Sequence, residues 1–331
     1  MDNLPKVELH LHLEGAASPS FVKDLATKKN LDLTQIFSSD GNYNFKNFQH
    51  FLSVYELATT VLQLPEDFYN LTMNVLKECA ANNVLYVETF VSPQFCGGND
   101  LCAWKDFLAA IQAASEESER QYNIISRGIV TVIRHLGPEV AKETAKCAVS
   151  TAGEWIVGFG MAGDESVGQQ NDYRYSFDMA RGAGLKLTSH AGEWCGSGSV
   201  ADAVNDLEVQ RVGHGVQAIN DQDVVKLLVD KEIVLETCPG SNVFLGVYPN
   251  LAMHPINTLR ALGVKVTVST DDPPFFRTSM NQEYKNLVQV FDWTKNDVIE
   301  LNKVALEAAF CDDKTKAALL TKLELNTLNY E

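Results

Sequence analysis

Apolar positions in this chain gather into short runs that recur from one end to the other. Eight of them, rich in β-branched and aliphatic residues, occupy 7–12, 85–91, 125–134, 155–160, 185–190, 211–214, 233–238 and 264–270. Their length and composition predict β-strands. Between them apolar residues return every three or four positions, the period of a helix with one buried face. Helices are predicted over 65–81, 104–121, 138–150, 173–183, 221–230 and 255–261, several opened by proline or by an acidic first turn. Strand followed by helical sequence, eight times over, is the order of a (β/α)8 TIM barrel of the α/β class.

Two regions exceed that minimal pattern. Between the first and second strands, residues 18–82 hold three helix-like segments (19–29, 44–62 and 65–81) where one suffices. A lid over a pocket is the expectation. Phe45, Phe48, Phe51, Leu52, Tyr55 and Leu62 recur there at helical spacing. Such a stripe is expected mostly in the core, with one or two members meeting the pocket. From 294 to the end the pattern gives two further helices. The chain is thus expected to form one domain over 1–331, with a lid-like insertion at about 18–82.

Composition narrows the partners. A chain of 331 residues, 45% hydrophobic and 21% charged, is that of a soluble globular protein with a substantial core. Its formal net charge of −16 argues against nucleic acid and anionic membranes, and a small neutral ligand suits it better. Seven cysteines form no CxxC pair and leave one over, as expected of reduced thiols in the cytoplasm. Residues before the first strand show no basic and apolar leader pattern, and no apolar run has spanning length.

The candidate chemistry lies at strand ends, where barrel enzymes build their sites. His10 and His12 alternate, so both face one side of the first strand. His190 and Asp271 each follow an apolar run. Three imidazoles and a carboxylate suit a borderline divalent metal such as zinc. A single strand-end histidine is ordinarily a hydrogen-bonded structural residue. Here, counting His214, four of the chain's seven histidines fall at such ends.

Six segments carry a family likeness, in order: Leu-Pro-Lys-Val-Glu-Leu-His-Leu-His-Leu-Glu-Gly at 4–15, Met-Ala-Gly-Asp-Glu at 161–165, His-Ala-Gly-Glu at 190–193, Arg-Val-Gly-His-Gly at 211–215, Cys-Pro-Gly-Ser-Asn at 238–242 and Ser-Thr-Asp-Asp-Pro at 269–273. Together they resemble the adenosine deaminase family of the metal-dependent amidohydrolases. The resemblance implies hydrolytic deamination of a 6-aminopurine with one Zn2+ per chain, held by His10, His12, His190 and Asp271. It further implies that Glu193 protonates purine N1, that His214 takes the proton from the attacking water, and that Asp271 orients that water. Asp272 would bond N7, Gly163 would meet N3 through its backbone N–H, and His12 and Glu14 would also face the substrate.

Two motifs pull the substrate in opposite directions. Glu14 stands where adenosine-specific members typically carry aspartate and adenine-specific members glutamate, whereas the Ala-Gly-Asp-Glu segment is closer to the nucleoside deaminases. This reading puts adenosine (and deoxyadenosine) first, converted to inosine and ammonia. Adenine, converted to hypoxanthine, is the alternative, with other 6-aminopurine nucleosides after it. A purine-binding module without catalysis would be expected to lack a ligand or the acid. A two-metal hydrolase would be expected to carry a lysine after the fourth strand, where Phe159, Gly160 and Met161 stand.

Overall fold

The computed structural model describes residues 2–328. Eight strands, β1 (Lys6–His12), β2 (Val84–Val91), β3 (Ile125–Ile133), β4 (Ile156–Ala162), β5 (Lys186–Ala191), β6 (Arg211–His214), β7 (Val234–Thr237) and β8 (Lys265–Val268), pair in parallel in chain order. Nearly every strand residue is buried, as the strands of a helix-covered parallel sheet must be. Helices α1 (Pro19–Lys29), α2 (Phe48–Thr59) and α3 (Pro65–Ala81) follow β1. The outer ring continues with α4 (Leu101–Tyr122), α5 (Pro138–Ser150), α6 (Arg174–Gly182), α7 (Ser197–Asp206) and α8 (Gln222–Asp230). It ends with α9 (Pro239–Phe244), α10 (Ile256–Ala261), α11 (Pro273–Phe276), α12 (Met280–Phe291), α13 (Lys295–Ala308) and α14 (Asp313–Leu328). This is the (β/α)8 architecture the sequence pattern predicts.

Local chemistry sets the boundaries. Asn47 accepts the His50 N–H and so starts α2 at Phe48, later than the predicted 44. Strands β7 and β8 are only four residues each, because the chain leaves the ladder early to carry polar groups into the mouth of the barrel. The periodicity did not single out α7, α9, α11 and α12, which are short or rich in small and polar residues. Both tail helices form, and residues 329–331 of the predicted second one lie outside the described residues. Among the described residues, no helix is long and apolar enough to cross a membrane.

The seam between β8 and β1 is closed differently from the other seven. A single bridge joins Leu11 and Asp271: His12 N–H donates to Asp271 O at 3.0 Å and Asp271 N–H to His10 O at 3.1 Å. Lower down, side chains stand in for the ladder, with Thr270 N–H donating to Glu8 Oε1 (2.9 Å) and Leu9 N–H to Ser269 Oγ (3.3 Å). Deeper inside the barrel, fully buried Arg211 bridges Glu88 (2.6 Å) and Glu236 (2.5 Å), and its guanidinium lies 3.5 Å from the Phe310 ring centroid. A buried cation stays charged only with such pairing, and removing one partner of such a set typically costs about 3–5 kcal/mol.

Candidate active site

His10 and His12 lie at the end of β1, His190 is the penultimate residue of β5, His214 closes β6, and Asp271 follows β8. Their donor atoms converge. His10, His12, His190 and Asp271 each offer one atom, and all four atoms lie within 4.8 Å of one another. His12 Nε2 is 3.2 Å from His190 Nε2 and 3.3 Å from Asp271 Oδ1, and His10 Nε2 is 3.5 Å from the same oxygen. A tetrahedral zinc with bonds of about 2.0–2.1 Å requires donor separations of about 3.3 Å, so the set fits that ion. Hydrogen bonding supports the fit. Glu236 Oε2 lies 2.7 Å from His10 Nδ1, which therefore carries the proton, and the opposite nitrogen, Nε2, is buried without a hydrogen-bond partner. Burial works against charge on Asp271, yet the His10 and His12 imidazoles outweigh it and hold the carboxyl well below the usual range. Ser241 Oγ–H donates to its Oδ2 at 2.7 Å.

Beside the donors opens a cavity of about 70 Å³. Glu193, His214, Gly163 and Asp272 line it together with His12, His190 and Asp271. Burial, reinforced by Asp271 and Glu165, pushes the Glu193 carboxyl well above its usual range, and burial with Asp271 nearby does the same for Asp272. Both environments therefore favour the protonated carboxyl. Glu193 Oε1 and Asp272 Oδ1 are buried without partners inside the protein, free to bond a ligand. His214 Nε2 lies 3.8 Å from Glu193 Oε2 and 3.9 Å from Asp271 Oδ2, and burial pushes its imidazole down to about 4.

Two glycines shape the space. A Cβ on Gly15 would fall 1.6 Å from Asp272 Oδ1, so that carboxyl occupies its place only because the neighbour lacks a side chain. Gly163 has φ +102°, and a Cβ there would come within 2.8 Å of His135 Nδ1. Its lack of a side chain is thus required by the backbone and by His135, besides any ligand. Glu14 is buried at 4% exposure and its Oε1 accepts the Ser92 N–H at 3.0 Å. Burial raises its carboxyl to about 7. Unlike the other predicted substrate residues, it does not line the cavity.

The helix after the first strand reaches the site more fully than its stripe suggested. Phe48, Phe51, Leu52 and Tyr55 of α2 all line the cavity, four of the six stripe residues rather than one or two. Phe48 and Phe51 do so while belonging to the core, because α2 lies along the mouth and its buried face is also the pocket wall.

Several supporting residues sit inside recognised segments yet had no role in the sequence reading. Glu165, buried at 3% exposure, accepts the backbone N–H groups of Gly192 (2.5 Å), Glu193 (3.1 Å), Trp194 (2.8 Å) and Cys195 (3.0 Å) and the Ser199 hydroxyl (2.7 Å). It ties the loop after β4 to the loop that carries Glu193. Ser241 and Asn242 likewise come from the 238–242 segment. Glu236 lies outside every such segment, and a lone glutamate in an apolar strand is the available signal.

Comparison with known proteins agrees with this geometry. The family model described as adenosine deaminase matches residues 5–325. An adenine deaminase of Rhizobium rhizogenes (strain K84) is 44% identical over 322 residues, 97% of this chain and 99% of its own. The crystal structure of an adenine deaminase from Arthrobacter aurescens superposes with a TM-score of 0.90 at 28% identity, covering 97% of this chain and 98% of the other. A cog1816 amidohydrolase from Burkhoderia ambifaria, solved with bound Zn, shares the fold with a TM-score of 0.87 at 24% identity, covering 99% and 93% of the two chains. With a match running almost end to end over a barrel whose motif side chains meet at one cavity, the chain belongs to the adenosine deaminase family, the purine-deaminating hydrolases of the amidohydrolase superfamily.

Proposed function

We propose that this protein is an adenine deaminase, converting adenine and water to hypoxanthine and ammonia with one zinc ion per chain. The convergence of His10, His12, His190 and Asp271 beside a cavity lined by Glu193 and Asp272 carries the reading. Adenine is favoured over adenosine, the substrate that headed the sequence reading, on two grounds. The 44% identical relative is named an adenine deaminase. In addition, Glu14 stands where adenine-specific members of the family carry glutamate. In this reading the chain is one catalytic domain over 1–331, and the insertion at 18–82 is its lid.

Bound by the four donors, zinc would acidify a water molecule and so supply a nucleophile near neutral pH. The chain's own groups do the rest. Phe48, Phe51, Tyr55 and Phe95 enclose the planar ring and exclude bulk water. Asp272, whose burial favours the protonated carboxyl, donates to purine N7, and the Gly163 N–H is offered to N3. Glu193 holds a proton for N1, which makes C6 more electrophilic as water adds and the amino group departs as ammonia. His214, with Nε2 3.8 Å from Glu193 Oε2 and 3.9 Å from Asp271 Oδ2, engages the attacking water. Glu14, buried and close to its midpoint at neutral pH, fills the space beside β1 that a ribose would otherwise claim.

The test is the loss of the purine ultraviolet band with zinc-loaded protein and adenine, adenosine or deoxyadenosine supplied separately. A higher kcat/KM for adenine is the expected result. Preference for a nucleoside would restore adenosine and make Glu14 a ribose contact.

A further inference from the structure

The 238–242 segment supplies Ser241 to Asp271, but its Asn242 has no part in the reaction described so far. This side chain is completely buried between two histidines. Its Nδ2 is 3.2 Å from His214 Nδ1, and its Oδ1 is 3.1 Å from His254 Nε2. The row ends on the backbone, where the Ile256 N–H donates to His254 Nδ1 at 3.3 Å. His214 and His254 are 1% and 2% exposed, so water does not compete along the row.

Only one placement of hydrogens satisfies these contacts, because a backbone N–H can only donate. It occupies the lone pair of His254 Nδ1, so neutral His254 carries its hydrogen on Nε2 and donates it to Asn242 Oδ1. That orients the amide, whose NH2 then points at His214. His214 Nδ1 must accept, which leaves the hydrogen of the neutral ring on Nε2. Turning the amide over would set its NH2 against the His254 Nε2–H, two donors face to face. A doubly protonated His214 would set Nδ1–H against the same NH2. Burial holds the His254 imidazole down at about 3, in keeping with a neutral ring.

We infer that Asn242 and His254 are positioning residues that lock His214 in the Nε2–H tautomer, so that His214 meets the reacting oxygen as a hydrogen-bond donor and not as a base. The catalytic meaning rests on the proposed deamination, but the tautomer does not. His214 Nε2 points into the space between Asp271 Oδ2 and Glu193 Oε2, where an entering oxygen can accept its hydrogen. The sequence resemblance had given this residue the opposite duty.

The test uses zinc-loaded full-length protein with 15N-labelled histidine. Two-bond 1H–15N correlation spectra at pH 7 distinguish the two neutral tautomers and the imidazolium, and the His214→Gln variant assigns the signal by its loss. We expect the Nε2–H pattern for His214 in the wild type. Asn242→Asp accepts but cannot donate, and should move the hydrogen to Nδ1 and lower kcat about 10²-fold or more, with KM for adenine changed less than about threefold. His254→Phe frees the amide to turn and should give a mixed spectrum with a smaller loss. An Nδ1–H or imidazolium pattern in the wild type overturns the inference, as does an unchanged tautomer and kcat in Asn242→Asp. Should Asn242→Asp fail to fold, the wild-type spectrum alone decides. Should the protein deaminate no purine, the proposed function falls while the spectrum still judges the tautomer.

Discussion

At the scale of single residues, the site works by burial of carboxyl groups with opposite needs. Asp271 faces imidazole nitrogens that favour its ionised form, whereas burial and neighbouring carboxylates favour the protonated form of Glu193 and Asp272. Environments that push neighbouring carboxyls apart are how one pocket comes to hold both an acid and a metal ligand. Glu193→Gln keeps the shape and removes the transferable proton. We expect it to retain metal and to lose about 10²–10⁴-fold in kcat, read from steady-state kinetics alongside metal analysis. A variant with wild-type turnover would remove Glu193 from the acid role. These residues were legible in the sequence because the chemistry itself restricts them to His, Asp and Glu at strand ends. Gly163 was legible for a different reason than the one that holds it, since its φ of +102° and the His135 ring are visible only in three dimensions.

At the scale of elements, strands were easier to read than what lies between them. The eight apolar runs appeared in the right places, because a parallel strand buried on both faces leaves a plain compositional mark. The four-residue length of β7 and β8 did not, since Cys238 continues the first run and Ser269 and Thr270 the second without any compositional mark where the ladder stops. Loop anchoring was hidden too. Glu165 reaches amides 27 to 30 positions away, and nothing in the chain's local pattern reports such a contact. Its carboxylate satisfies four consecutive N–H groups, and a glutamine cannot, because its NH2 would face donors. Glu165→Gln should therefore let the Glu193 loop shift, lowering kcat about 10²-fold while KM moves little and the metal stays bound. Loss of metal along with activity would instead place the fault in the barrel wall.

At the scale of the whole molecule, buried acids couple the stability of the barrel to pH. Glu283 of α12, 1% exposed, accepts the Gly240 N–H and so supports the start of α9, which carries Ser241 and Asn242. Burial raises its carboxyl from 4.5 to about 7. Between those values the folded chain keeps a proton that the unfolded chain has released. Its contribution is thus fully present below about 4.5 and is lost as pH rises through about 7, a change of about 3 kcal/mol for this one group. Urea unfolding at pH 5 and pH 8 should show that decline in the wild type and a shallower one in Glu283→Gln, and equal slopes would refute it. The closing seam has a further consequence, for biosynthesis. The four donor side chains run from residue 10 to residue 271, and the last is set in place by the Leu11–Asp271 bridge that joins the two ends of the sheet. A chain synthesised from its N-terminus offers only His10 and His12 of the four donors until residue 190 has been made. In the proposed zinc enzyme, metal capture and closure of the barrel wall would then coincide as one late event.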